Sequence, residues 1–297
     1  INFTGVNGSV ISNNTIITNG SNNNYGIFLQ SISLYNRITN NTVQTQGSAG
    51  TNYGVYFSTI ANLNNVTGNV ISTNGTSSND GVVTTSSGNI TVYNNTITVR
   101  GTTAGSSAIA FSTSSNNMSA ELNALNVIIS AGNSNGIVIF SATQTRALRN
   151  IINATGSTSG DVRGIFMFFS SLLVADENNI SINKAQSVGV QISTSNLANA
   201  TNNSIFVNGT QARGIYIPVG TNVRITSNNI SVNDTSTFGA ATWITSGSQN
   251  LTFTSNKLIS SGSRTHAINV ESASYMNFTN NIIRGDGLLS FAIYVND

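Results

Sequence analysis

Two short phrases recur along all 297 residues, and their shared period constrains the fold more than any other feature. The first is Asn-x-(Ile/Val/Leu). Its Asn falls at Asn14, Asn41, Asn69, Asn95, Asn123, Asn150, Asn178, Asn203, Asn228, Asn256 and Asn281, a spacing of 25 to 28 residues. At Asn178 and Asn281 the placement is a choice between adjacent Asn residues. The second is (Gly/Ala)-(Ile/Val), about 11 to 14 residues further on. Its first member falls at Gly26, Gly54, Gly81, Ala108, Gly136, Gly164, Gly189, Gly214, Gly239, Ala267 and Ala292; only the Gly239 copy, followed by Ala240, breaks the pattern. A third apolar phrase precedes each Asn, as in Ile90-Thr91-Val92 and Leu251-Thr252-Phe253. Each period therefore holds three short runs of alternating polarity rich in β-branched residues. Such runs are strands, and they are too short for amphipathic helices.

Three strands per turn, repeated about eleven times, predict an all-β parallel β-helix solenoid over residues 1–297. One coil cannot bury its apolar face alone, whereas stacked coils bury a continuous core. At about 4.8 Å per coil the rod is roughly 50 Å long, and parallel crossovers predict a right-handed coil. The inward columns are expected to be Ile27, Val55, Val82, Ile109, Ile137 and their equivalents, and Leu29, Phe57, Phe111, Ile139 and Met167. The Asn column suits tight turns, because Asn tolerates the left-handed region and its amide bonds backbone groups. Stacked coil over coil, these amides can form a ladder.

This three-strand coil with its Asn-marked turn resembles the right-handed β-helix of the pectin-lyase-like superfamily. The Asn-x-Ile…Gly-Ile repeat is similar in style to the repeats of β-helical surface and autotransporter-like passenger proteins, and to those of periplasmic copper-accessory β-helices. The resemblance spans nearly the whole chain. It implies an extracellular or cell-surface location and, for lyase and hydrolase members, an active site on the outer face of one sheet. By analogy that sheet holds the Gly-Ile strands. Its outward column then reads Phe28, Tyr56, Val83, Ala110, Val138, Phe166, Gln191, Tyr216, Ala241, Asn269 and Tyr294, with neither carboxylate nor cation. The column before the Gly reads Tyr25, Tyr53, Asp80, Ser107, Asn135, Arg163, Val188, Arg213, Phe238, His266 and Phe291.

Composition removes several function classes. There is no Cys and one His, so thiolate sites, a cysteine nucleophile and His-based metal sites are not expected, and no cofactor is implied. Charged residues are 7 %, with 11 Lys+Arg against 9 Asp+Glu. A net charge of +2 is too weak for a nucleic-acid footprint, and no apolar run is long enough to insert in a membrane as a helix. Glycoside hydrolysis commonly needs two carboxylates about 5 to 9.5 Å apart. The acidic cluster of the chain is Glu121, Asp176 and Glu177, accompanied by Arg146 and Arg149. Arg149 and Glu177 hold the same column position in adjacent coils and are expected to face each other. These residues read either as a charge ladder or as the catalytic candidates Glu121, Arg149, Asp176 and Glu177 of an atypical polysaccharide lyase or glycoside hydrolase. Asp161 and Arg163 are expected to form a loop ion pair, and His266 to lie on the surface.

Binding candidates are clearer. Tyr25, Phe28, Tyr53 and Tyr56 fall on two adjacent coils of one face. They read either as a cross-strand aromatic ladder or as a platform for a glycan or surface partner. The run from Ile165 to Phe169 predicts Ile165 and Met167 inward, and Phe166 with one of Phe168 and Phe169 outward. The chain starts without Met and both starts and stops within the repeat, so it is expected to be a segment of a longer protein or to stack end to end. The resulting expectation is a non-catalytic structural or adhesive rod at the cell surface, with a polysaccharide enzyme and a self-assembling fibre subunit as alternatives.

Overall fold

The computed structural model describes residues 1–102, 105–156, 160–236, 238–245 and 247–296. Among them are thirty-four strands and no helix. One coil shows the plan. Strand β4 (Asn24–Gln30) is followed by the three-residue β5 (Arg37–Thr39) and then by β6 (Thr42–Gly47). The next coil repeats this with β7 (Asn52–Ser58), β8 (Asn65–Thr67) and β9 (Val70–Gly75), each parallel to its counterpart. The strands after the ladder Asn form an eleven-stranded sheet. The long Gly-Ile strands and the three-residue strands together form a twenty-three-stranded sheet that bends into two faces. The expected three-strand solenoid of about eleven coils is what the chain forms.

The Asn column is a continuous ladder. Each Asn Nδ2 donates to Oδ1 of the Asn one coil further on, from Asn14 to Asn281 without a break. The backbone N–H of each donates to the same Oδ1, as Asn95 does to Asn123 at 3.0 Å. Nδ2 also reaches a strand carbonyl of the preceding coil, as in Asn95 to Val66 at 2.9 Å. From Asn41 to Asn256 the ladder residues are at most 1 % exposed. Both ambiguous placements, Asn178 and Asn281, fall on the ladder. The left-handed backbone belongs to the residue before the ladder Asn, at Asn13, Asn40, Asn94, Asn202 and Asn280. Leu122, Arg149 and Glu177 adopt it too, which costs about 1 kcal/mol each.

The two repeated phrases interlock. A Cβ built on Gly54 would lie 2.3 Å from Ile71 Cγ2, and one on Gly189 would lie 2.3 Å from Ile205 Cγ2. The Ile of Asn-x-Ile therefore occupies the space that the Gly of Gly-Ile leaves free. Register places Leu125 opposite Ala108 as Ile97 stands to Gly81, and Leu258 stands likewise to Ala241. Leu lacks the branch at Cβ that meets the glycine, and Ala is present at those two positions.

One register differs from the sequence expectation. Arg213 pairs with Ala240, Ile215 with Thr242 and Tyr216 with Trp243. The small-residue position is thus Ala241, not Gly239, and the outward position is Trp243, not Ala241; Ala240, not Phe238, precedes them. Gly239 lies in the turn before the strand, tight against Asp234, with a Cβ there 2.4 Å from Asp234 Cβ. The strand enters two residues late, and Thr242 takes the place of a β-branched apolar residue in the core. In the preceding coil the pairing shifts between Gln191 and Ser193, opposite the single proline, Pro218. An extra residue there is a β-bulge, which is where a strand accepts proline.

The core is one run of columns. Ile27, Val55, Val82, Ile109, Ile137, Ile165, Val190 and Ile215 are fully buried, as are Leu29, Phe57, Phe111, Ile139 and Met167. Phe166 and Phe168 are half-buried on the outer side and Phe169 is exposed in a left-handed turn, so both Phe168 and Phe169 leave the core.

Candidate functional site

The acidic cluster sits at the corner before the ladder Asn. Arg149 and Glu177 share a column, as expected, but Arg149 pairs instead with Glu121 of the preceding coil. The expectation that Arg149 faces Glu177 is corrected here: Glu121 and Asp176 both lie one residue before an αL position, Asp176 is engaged by the following coil, and the guanidinium reaches back to Glu121. Asp176 Oδ1 accepts from Thr201 Oγ1 at 2.6 Å and from Asn202 Nδ2 at 3.1 Å. Glu121 and Arg146 border a shallow polar trough of about 270 Å³. The exposed Arg149–Glu121 pair is worth under about 1 kcal/mol. Thus Glu121, Arg149 and Asp176 are spent on one another and on neighbouring hydroxyl and amide groups, while Glu177 is exposed.

The aromatic candidates do lie together on the outer face of the long strands. Tyr25 stacks on Tyr53 at 5.4 Å and 17°, and Phe28 stacks on Tyr56 at 4.9 Å and 4°. Tyr53 meets Tyr56 edge-on at 5.2 Å. The rings are layered along the rod axis, so their faces meet each other and their edges point outward. Asp80 continues the Tyr25–Tyr53 column and is 7 % exposed. Its Oδ1 accepts the Ser107 N–H at 2.6 Å. Burial pushes the carboxyl up to about 7, against the opposing pull of that hydrogen bond. Burial, and then the Asp80 charge, push the Tyr53 phenol up as well.

Further along the same columns the aromatics mix with guanidinium groups. Arg163 donates to Asp161 Oδ2 at 2.7 Å, as expected of that pair, and its Nε donates to Gln191 Oε1 at 2.6 Å. Its guanidinium lies 4.6 Å from the Phe166 ring centre. Arg213 is held between Tyr216 at 4.5 Å and Trp243 at 4.3 Å. Among the described residues it forms no ion pair, and burial lowers its pKa.

Beyond Trp243 the face opens into a groove of about 480 Å³ lined by Trp243, His266, Asn269, Glu271, Phe291 and Tyr294, among others. His266 stacks on Tyr294 at 4.7 Å and 16°, and its Nδ1 accepts the Phe291 N–H at 3.2 Å. Burial lowers the His266 pKa, which keeps the ring neutral at pH 7. It is therefore a groove wall and not a bare surface residue. Asn269 donates from Nδ2 to Glu271 Oε1 at 3.2 Å. Among the described residues, three polar atoms around the groove are buried without a partner: Arg213 Nε, Trp243 Nε1 and Asn269 Oδ1.

Sequence reasoning placed His266, Asn269, Phe291 and Tyr294 on this face but did not see a groove. It missed Trp243 and Glu271. The miss at Trp243 follows from anchoring the phrase on Gly239. Ala108, Ala267 and Ala292 already showed that Ala serves in the small-residue column, so Ala241 was an equal choice.

No protein-family model matches the chain, and no curated protein matches it in sequence. Solved structures match in shape. The A-module of the Azotobacter vinelandii mannuronan C-5 epimerase AlgE6 aligns with a TM-score of 0.55 at 12 % identity, covering 98 % of this chain and 91 % of that one. The A-module of AlgE4 from the same organism gives a TM-score of 0.41 at 12 % identity over the same shares of both chains. The Streptococcus pneumoniae surface protein and adhesin PfbA gives 0.26 at 10 % identity, with 97 % and 92 % covered. The first of these matches, with the parallel stacking and the Asn ladder, shows that the chain has the right-handed parallel β-helix fold.

Proposed function

We propose that this chain is an extracellular or cell-surface β-helix rod that binds carbohydrate on its long-strand face without cleaving it. One observation carries this reading. Along that face the outward side chains form a strip of rings, guanidinium groups and amides that widens into the Trp243–Tyr294 groove. Aromatic faces receive the C–H faces of sugar rings, while amides and charged groups take their hydroxyls. The carboxylates on this face are scattered. Asp80 is buried under its own hydrogen bond, Asp161 is ion-paired, and Glu271 lies seven coils from Asp80, on the order of 34 Å away. That spacing does not suit a two-carboxylate hydrolysis. The fold likeness adds that a rod of this shape carries a mannuronan C-5 epimerase; at 12 % identity no residue role is transferred from it.

The test is incubation with neutral and acidic polysaccharides, measuring both retention of the protein on the polymer and the length of the chains afterwards. Retention with unchanged chain length is expected. Shortened chains would overturn the non-catalytic reading and direct mutagenesis to Glu271 and His266, then to Glu121, Arg149, Asp176 and Glu177. No retention on any polymer would leave a structural scaffold.

A further inference from the structure

We propose that the groove formed by Trp243, Asn269, Glu271 and Tyr294 is a binding site for a neutral hexopyranose unit, recognised through its hydroxyl groups. The proposal rests on the reading that the long-strand face meets carbohydrate, and it names where and what.

Unpaired polar atoms mark the site. Trp243 and Asn269 are register partners on adjacent strands. Trp243 Nε1 is a donor and Asn269 Oδ1 an acceptor, and both are buried with no partner among the described residues. Asn269 is only 7 % exposed, and its other amide atom is fixed on Glu271. That bond settles which way the amide points, because the reverse would set two oxygens against each other. Buried groups of this kind are normally satisfied, and an exception calls for an explanation. Both residues line the groove, where a ligand hydroxyl is the partner they lack.

Their donor and acceptor character selects the ligand. A hydroxyl both donates and accepts, so a sugar with neighbouring hydroxyls satisfies a donor and an acceptor side by side. A carboxylate or sulfate only accepts. Beside Asn269 it would leave Oδ1 unpaired and meet the like charge of Glu271; the cation of the lining, Arg264, is exposed and is the group an acidic sugar would have to use instead. The Glu271 carboxylate, with one oxygen engaged by Asn269, is itself a strong acceptor for a hydroxyl.

Shape and rigidity fit the same ligand. A groove of about 480 Å³ lies within the range of small-ligand pockets, ~300–1,000 Å³, and holds one or two sugar rings. Tyr294 and His266, stacked on each other, supply an aromatic wall. Arg213 covers one side of Trp243 and fixes the indole, so little ordering is left for the ligand to impose.

Trp243 is the single tryptophan of the chain, so its emission reports occupancy of this groove. The purified protein is titrated with methyl pyranosides of glucose, galactose and mannose, and with methyl glucuronide and galacturonide as the acidic arm. A saturable emission change is expected with at least one neutral pyranoside, and binding at least tenfold weaker to the matching uronide. Asn269→Leu and Tyr294→Ala are each expected to weaken binding tenfold or more while melting as cooperatively as the wild type. Tighter binding of the uronides overturns the neutral-sugar assignment. A flat emission with every sugar overturns the site: if polymer retention persists, the face-wide reading survives without this groove, and if retention is also absent, both fall. Should a variant fail to fold, the wild-type titration alone decides.

Discussion

The same two outward columns end differently at the two ends of the rod. Near the N-terminal end, Tyr25, Phe28, Tyr53 and Tyr56 stack ring on ring. Near the C-terminal end the column positions carry Arg213, Tyr216, Trp243, His266 and Asn269, and ring stacks on guanidinium beside an open groove. Identical backbone stacking thus yields a closed surface in one place and a receptive one in the other. The difference lies in what fills each layer. When every layer holds a ring, the π faces are consumed within the protein. When an amide or a small residue interrupts the run, as Asn269 and Ala240 do, a ring face and polar atoms are left over.

The comparison breaks first at Asp80, which lies beside the ring stack. Its folded pKa, about 7, is above the ordinary 3.8, so the folded state holds its proton more tightly than the unfolded chain does. Stability therefore falls as pH rises from about 4 to about 7 and is level above that. The size is on the order of 4 kcal/mol, at about 1.4 kcal/mol per pH unit. Asp80→Asn should raise stability by that order at pH 8, and the gain should vanish at pH 3.5, as read by urea denaturation at both values. An equal gain at both pH values would show that the carboxyl is not held neutral.

The scaffold shared by both regions gives the next effect. In Gly164→Ala the new Cβ meets Ile180 Cγ2 and the Gly189 carbonyl oxygen, each at 2.5 Å. The expected loss is about 1–3 kcal/mol. Adding Ile180→Leu should return part of it, as the Ala108–Leu125 and Ala241–Leu258 positions suggest. A double-mutant cycle with no coupling would refute the interlock of the two phrases.

Removing rings separates the two regions directly. Tyr56→Ala should lower stability by about 1–2 kcal/mol, since a stacked pair adds about 0.5–1.5 kcal/mol to area burial, and should leave glycan retention unchanged. Trp243→Ala should weaken retention about tenfold, equal to about 1.4 kcal/mol. Equal losses of retention in both variants would make the tetrad a platform after all. The smallest change is expected from Arg149→Gln. It breaks an exposed pair and should move stability by less than about 1 kcal/mol, with no effect on retention.

The fold was legible because its repeat is physical. Asn at the ladder is demanded by a contact with the next coil and Gly under Ile by a contact across its own coil, so the constraint appears in the sequence at fixed spacing. The register near Gly239 was not legible from that phrase. Ala241-Thr242 satisfies the same space with residues that do not stand out, and a loop supplies a more conspicuous glycine. The tetrad could be placed but not interpreted: column position tells which side of a sheet a ring is on, not whether its face is covered. The corner charges show the same limit. A shared column put Arg149 opposite Glu177, yet a long side chain chooses between two neighbouring coils, and it chose Glu121.

The Asn ladder has a direction. Every amide donates toward the C-terminal coils and accepts from the N-terminal side. The side-chain dipoles therefore add along the axis, and each link polarises the next. The rod is a vector rather than a symmetric cylinder. One end coil presents amide hydrogens and the other presents amide oxygen. Coils inverted against this order would set oxygen on oxygen through a buried column. The ladder thus proofreads stacking polarity as well as stacking register, and any coil joined to either end has to arrive with its amide facing the same way.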